Sequence, residues 1–248
     1  MRWLILSDVH SNLEALQTVV KAAEGQYDRV VCLGDLVGYG PDPNSVVEWA
    51  RARASYCIRG NHDKAMWDPE VVAGFNYAAR IAAEWTREQL TEDNLQYLRE
   101  LPRGPLETGG FTIAHGALSD EDKYIVCEAD VLEELRYFDT GLVFYGHTHS
   151  QTGHMTDECG RLLSLSPQLP RGRSRLALQL LPGERYLINP GAVGQPRNRD
   201  TRAAFCVYDD MRQDVEFWRA PYDVAATQSR MEACGLPSAL VQRLSFGR

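Results

Sequence analysis

The sequence predicts an α/β protein in which two β-sheets pack together with helices outside them. Three observations carry that reading. Within residues 3–59, short apolar runs alternate with amphipathic stretches; residues 68–101 keep a helical period; beyond residue 150, short strands follow one another with no long helix between them.

In order, residues 3–6 are the first strand, and Ser11 or Asn12 caps a helix over 13–24 that Gly25 stops. Val30-Val31-Cys32-Leu33 forms the second strand and runs into Gly34-Asp35. The loop Gly38-Tyr39-Gly40-Pro41-Asp42-Pro43 leads to a helix over 44–53, and a third strand covers 55–59. This β-α-β-α-β run implies a parallel core with right-handed crossovers. Helices over 75–89 and 92–101 follow, with Thr91 as a cap between them. Gly109-Gly110 opens a strand at Phe111, a helix lies near 131–138, and residues 142–145 form the next strand. Short strands at 161–166, 175–181, 186–189, 203–208 and 215–218 read as antiparallel hairpins forming a second sheet. Residues 167–173 look like an exposed hairpin loop, and from Asp223 onward the pattern is helical, broken at Gly235-Leu236-Pro237.

At 248 residues the chain is long enough for one large domain, 1–248, and two are not required. No stretch approaches the roughly 20 apolar residues of a membrane span, and Met1-Arg2 leads straight into a strand rather than a signal peptide. The six cysteines fit neither zinc-finger spacing nor a small secreted framework, so the expected compartment is the cytoplasm. Cys32, Cys57 and Cys206 fall inside apolar strands, as small core residues do. A net charge of −8 argues against nucleic acid as a partner and leaves a local phosphate site allowed. Homo-oligomerisation stays open.

Asp35 falls at the carboxyl end of its strand, where open α/β sheets place ligand chemistry. Alone it reads as a turn residue. Similar strand ends recur at Ser7-Asp8-Val9-His10, Gly60-Asn61-His62-Asp63, Ala114-His115-Gly116 and Gly146-His147-Thr148-His149. Of six histidines, all but His154 occupy such positions, so these side chains are expected to share one crevice at the end of one sheet. Imidazole, carboxylate and amide oxygen without a nearby thiolate suit a first-row divalent ion: manganese first, with iron, zinc, nickel and cobalt also suited. Seven donors exceed one tetrahedral metal and fit two ions that share a carboxylate. Such a pair acidifies a bridging water and clamps phosphoryl oxygens during in-line attack.

In this order, Asp8-x-His10, Gly34-Asp35, Gly60-Asn61-His62-Asp63, His115 and Gly146-His147-Thr148-His149 resemble the calcineurin-like metallophosphoesterase superfamily. The segment Asn189-Pro190-Gly191-Ala192-Val193-Gly194-Gln195-Pro196-Arg197 is similar to its bacterial and archaeal small phosphodiesterase branch. The resemblance implies a four-layer α/β/β/α sandwich with two packed mixed sheets. It also implies that Asp8, His10, Asp35 and His149 hold one metal, and Asp35, Asn61, His115 and His147 the other, with Asp35 as the bridge. His62 becomes the proton donor to the leaving oxygen. Asp63 is its nearest partner, the alternative being a brace for the loop.

The phosphoprotein phosphatases continue the second motif with an Asp and an Arg, whereas here it reads Leu36-Val37-Gly38-Tyr39-Gly40. The phosphate-binding cation must come from elsewhere, and Arg197 is the choice beside Asn61; pairing of Arg197 with a surface carboxylate weighs equally. The expected activity is dinuclear-metal hydrolysis of small phosphoesters, nucleotides among them. A dinucleoside polyphosphate hydrolase is the second reading. A protein-binding scaffold on the same fold is a third, which loss of metal residues would favour; all are present.

Overall fold

A computed structural model describes every residue of the chain except Asp139 and Arg171, the latter inside the expected 167–173 loop. β1 (Arg2–Leu6), β2 (Arg29–Cys32) and β3 (Ala54–Cys57) pair in parallel, Leu4 opposite Val30 and Cys32 opposite Cys57. Between them run α1 (Leu13–Ala22) and α2 (Pro43–Arg53). Asn12 caps α1 by accepting from the Ala15 N–H at 3.1 Å. Thr91 likewise caps the helix Glu92–Glu100 through the Asn94 N–H.

Strand alternation sorts these residues into layers. Leu4, Leu6, Val30 and Cys32 meet Leu16, Val19, Val46 and Val47 of α1 and α2. Ile5 and Val31 face the other way, onto Phe111, Ile113, Phe144 and Ile188 of the second sheet. The outer side of that sheet, Val143 and Leu187, packs on Val131 of a helix at Glu128–Glu134. The layers are therefore helix, sheet, sheet, helix.

The strands beyond residue 150 do not make a sheet of their own. Ala203–Asp209, Asp214–Ala220 and Arg175–Gln179 extend the first sheet beyond β1, while Arg185–Asn189, Thr152–Thr156 and Leu162–Leu165 extend the second beyond Leu142–Phe144. The reason lies in Ala203–Asp209. Phe205 and Val207 join the helix-side core while Cys206 and Tyr208 join the inter-sheet core, so this strand must sit in a sheet covered on both faces. It pairs antiparallel with β1, Leu4 opposite Val207. The strand Thr152–Thr156 has no apolar run to announce it and was not expected. All six cysteines are free, and no helix among the described residues is long and apolar enough to cross a membrane.

Candidate metal centre

The strand-end residues meet in one crevice, but two sheets supply it rather than one. Asp8, Asp35, Asn61 and His62 follow β1, β2 and β3; His115 follows Thr112–Ile113, and His147 and His149 follow Leu142–Phe144, in the other sheet. Backbone bonds lace the loops together: Asp8 N–H to Gly34 O at 3.1 Å, His10 N–H to Asp35 O at 3.0 Å, and Gly194 N–H to Asp8 O at 2.9 Å. Gly60 and Gly146 allow this approach, because a Cβ on either would collide with Asp35 Oδ1 or with Ser7 Oγ.

Positive φ angles are concentrated here: Asp8 53°, His10 48°, Asp35 54°, His147 66° and His149 56°. A left-handed non-glycine residue costs on the order of 1–3 kcal/mol and persists only where its surroundings enforce it. That strain turns the loops so that five side chains enter the crevice.

Two clusters result, Asp8, His10, Asp35 and His149, then Asp35, His115 and His147, all of these side chains buried. In the first, His149 Nε2 lies 3.3 Å from Asp8 Oδ1, His10 Nε2 lies 3.5 Å from Asp35 Oδ2, and the two Nε2 atoms are 3.1 Å apart. In the second, His115 Nε2 is 3.5 Å from the same Asp35 Oδ2 and 3.2 Å from Asn61 Oδ1. Asp35 Oδ2 thus stands between the clusters.

Main-chain carbonyls fix the tautomers. The Nδ1–H groups of His10, His115 and His149 donate to Val37 O, Leu33 O and Gln195 O at 2.9, 2.8 and 2.7 Å. Nε2 of each is turned inward, the arrangement that orients imidazole ligands. His147 is reversed: its Nε2–H donates to Asp122 O at 3.2 Å, leaving Nδ1 bare.

The residues fit a pair of cations. Asp8 Oδ1 and Asp35 Oδ2 are buried with no hydrogen-bond partner among the described residues, and the His10 and His149 lone pairs face each other. Burial without a donor is costly for each atom, and a divalent ion relieves all of them at once. Burial also drives the His10 and His149 imidazolium forms well below their usual range and lowers His147 to about 3, so these rings are neutral, the form that ligates. Burial pushes Asp8 up to about 6. Burial opposes ionised Asp35 as well, but the His115, His62 and His10 imidazoles outweigh it and hold the carboxyl well below its usual range. His115 is the exception among the rings: burial lowers it, yet the Asp35 carboxylate wins and raises it, so a proton sits where a cation would.

His62 is 5% exposed and donates its backbone N–H to Asp35 Oδ1 at 2.8 Å. Its ring lies against Tyr39, Phe75 and His10, at centroid distances of 4.4, 4.5 and 4.9 Å. Burial lowers it to about 4, with Asp35 pulling the other way. Asp63, expected from the sequence as a catalytic residue partnering His62 or as a brace for the loop, makes its hydrogen bonds to backbone N–H groups rather than to that ring. Its Oδ1 accepts from the Leu36 and Val37 N–H groups at 2.9 and 3.2 Å and its Oδ2 from Gly60 at 2.9 Å, bracing the Asp35 loop on the Asn61 loop.

Arg197 is half-buried and donates to Gln195 Oε1 from Nη2 at 2.9 Å, its guanidinium 5.9 Å from the Tyr39 ring centre. Among the described residues it pairs with no carboxylate, and its charge is felt at His10, His62 and His149. Sequence reading missed Gln195, whose carbonyl orients His149, and Tyr124, which stacks on His147 at 3.8 Å. Gln195 had a signal, two residues before Arg197 in a glycine-bounded turn; Tyr124 had none within a polar stretch.

A model of the calcineurin-like phosphoesterase family matches residues 1–151. The uncharacterized protein MJ0912 of Methanocaldococcus jannaschii is 32% identical over 249 residues, which cover 98% of this chain and 97% of that protein. A metallophosphoesterase from Sphaerobacter thermophilus, solved by crystallography, is 38% identical with a TM-score of 0.86, over 100% of this chain and 99% of its own. The hypothetical protein PH1004 from Pyrococcus horikoshii OT3 shares the fold, with a TM-score of 0.79 at 19% identity over 100% of this chain and 98% of its own.

Proposed function

Because this chain belongs to the calcineurin-like phosphoesterase family and carries two clusters able to hold metal, we propose that it hydrolyses small phosphoesters, nucleotides among them, in the cytoplasm, with residues 1–248 acting as one unit. The observation that carries this reading is Asp35 Oδ2, without a hydrogen-bond partner among the described residues and 3.5 Å from both His10 Nε2 and His115 Nε2. Asp8, His10, Asp35 and His149 would hold one ion, and Asp35, Asn61, His115 and His147 the second. The mixed oxygen and imidazole donors suit manganese. Two such ions supply an activated water nucleophile and neutralise charge on the phosphoryl oxygens.

The remaining work falls to the chain itself. Asn61 turns Oδ1 toward the second cluster, which leaves its amide N–H groups for a phosphoryl oxygen. His62, lowered to about 4 by burial, would take up its proton as the phosphoryl charge arrives and give it to the leaving oxygen. Asp63 keeps the two loops in register, and the burial of all these groups excludes water from competing hydrogen bonds. Arg197 supplies the cation that the Leu36-Val37-Gly38 segment lacks, with a fork suited to phosphoryl oxygens.

A screen of phosphomonoesters and phosphodiesters with manganese and other divalent ions tests this reading. Metal-dependent turnover of at least one class supports it; no turnover with any ion at full metal occupancy would overturn it. For Arg197→Ala, KM should rise with metal content intact, at a cost of about 1.5–3 kcal/mol, as for a charged hydrogen bond. Arg199→Ala is the control, since Arg199 is exposed and its backbone N–H bonds Gly247 O at 2.8 Å. Unchanged kinetics in Arg197→Ala, or a larger defect in the control, would show that the cation lies elsewhere.

A further inference from the structure

The C-terminal helices bring a second guanidinium to the rim of the metal centre. Val224–Ala233 and Ser238–Leu244 pack through Met231, Leu240 and Leu244 onto Tyr39, the residue that touches the His10 and His62 rings. Arg243 lies in the last turn of the second helix, and this packing sets it beside the Tyr39 loop. Its Nη1 donates to Gln195 Oε1 at 3.2 Å, the same oxygen that accepts from Arg197 Nη2 at 2.9 Å.

Two guanidinium groups therefore share one neutral acceptor. Among the described residues neither has a carboxylate within 4.0 Å, in a protein of net charge −8. Gln195 itself is 2% exposed, and its Nε2 is buried without a partner among the described residues. A cation in the last turn of a helix complements the helix dipole. That accounts for an arginine in this helix, but not for its meeting a second arginine on one amide oxygen. Like charges held together without a counterion form a site for a multiply charged anion.

We propose that Arg197 and Arg243 together bind a chain of at least two linked phosphates, Arg197 on the group at the metal centre and Arg243 on the next. The substrate class is then a di- or triphosphate compound rather than a simple monoester. This deepens the proposed function and rests on it for the placement of the first phosphate. Arg197 is tied to the centre by its backbone N–H, which donates to His149 O at 3.1 Å, whereas Arg243 comes from the helix packed against Tyr39. Burial, then the charge of Arg197, lowers the Arg243 pKa, and an arriving anion offsets both.

The test is isothermal titration calorimetry of the metal-loaded full chain with inorganic tripolyphosphate and with orthophosphate. Excess magnesium is present, and the site metal is assayed afterwards. Wild type should bind tripolyphosphate at least tenfold tighter. Arg243→Gln should weaken tripolyphosphate roughly 10–100-fold, the range of a lost charged hydrogen bond, and orthophosphate far less; Arg243→Lys should recover part of the loss. Arg199→Gln should change neither. Equal weakening of both anions in Arg243→Gln would mean that Arg243 only positions the site, and no preference for tripolyphosphate in wild type would also overturn the proposal. Binding does not require turnover, so an intact preference in a protein that hydrolyses no phosphoester would remove the proposed function and leave the anion site standing.

Discussion

Asp35→Asn is expected to lose metal and activity together. The substitution keeps the shape, and asparagine tolerates the left-handed backbone that Asp35 adopts at φ 54°. It can still accept the His62 N–H through its amide oxygen, as Asp35 Oδ1 does at 2.8 Å. What it removes is the negative charge at Oδ2, the atom lying 3.5 Å from an imidazole of each cluster. Changing a group that only orients a ligand costs roughly 10–100-fold in metal affinity or activity. The shared ligand should exceed that, with both ions affected because they share it. Metal analysis and turnover on one preparation check this; a variant that keeps two metals and a normal rate would contradict the bridge.

The second large effect belongs to His62. Its ring touches neither carboxylate oxygen of the clusters by hydrogen bond, and only its backbone N–H bonds Asp35. His62→Ala should therefore keep its metals and lose roughly 10²–10⁴-fold on esters with poor leaving groups, the range of general acid catalysis. The loss should shrink for a nitrophenyl ester, whose leaving group departs without a proton. His62→Gln separates chemistry from packing, because it fills more of the space against Tyr39 and Phe75 while offering no comparable acid. Equal losses on good and poor leaving groups would show that His62 acts only by orientation or charge.

The crevice was legible because its chemistry is local. Each strand is a short apolar run, and acids, amides and imidazoles recur just past the ends, at Asp8, Asp35, Asn61, His115 and His147, a repetition that turns alone do not require. The pairing of sheets was not legible. Strand alternation says that Phe205 and Cys206 face opposite ways, but not which neighbours flank them, and that choice moved three late strands into the first sheet. Contacts made by main-chain atoms were hidden for a different reason. The carbonyls of Leu33, Val37, Asp122 and Gln195 select the tautomers of four histidines, yet any residue type carries a carbonyl. Asp63 could be read as brace or partner until its three N–H donors were visible. Arg243 stands 46 positions from Arg197 (243 − 197), on a helix whose docking onto Tyr39 no local pattern announces.

The dinuclear site is tested most directly by the metal content of wild-type protein purified without chelator and measured by inductively coupled plasma mass spectrometry against protein concentration. Two clusters sharing Asp35 predict two divalent ions per chain. One ion or none per chain, in a preparation that hydrolyses phosphoesters at its full rate with no metal added, would contradict it.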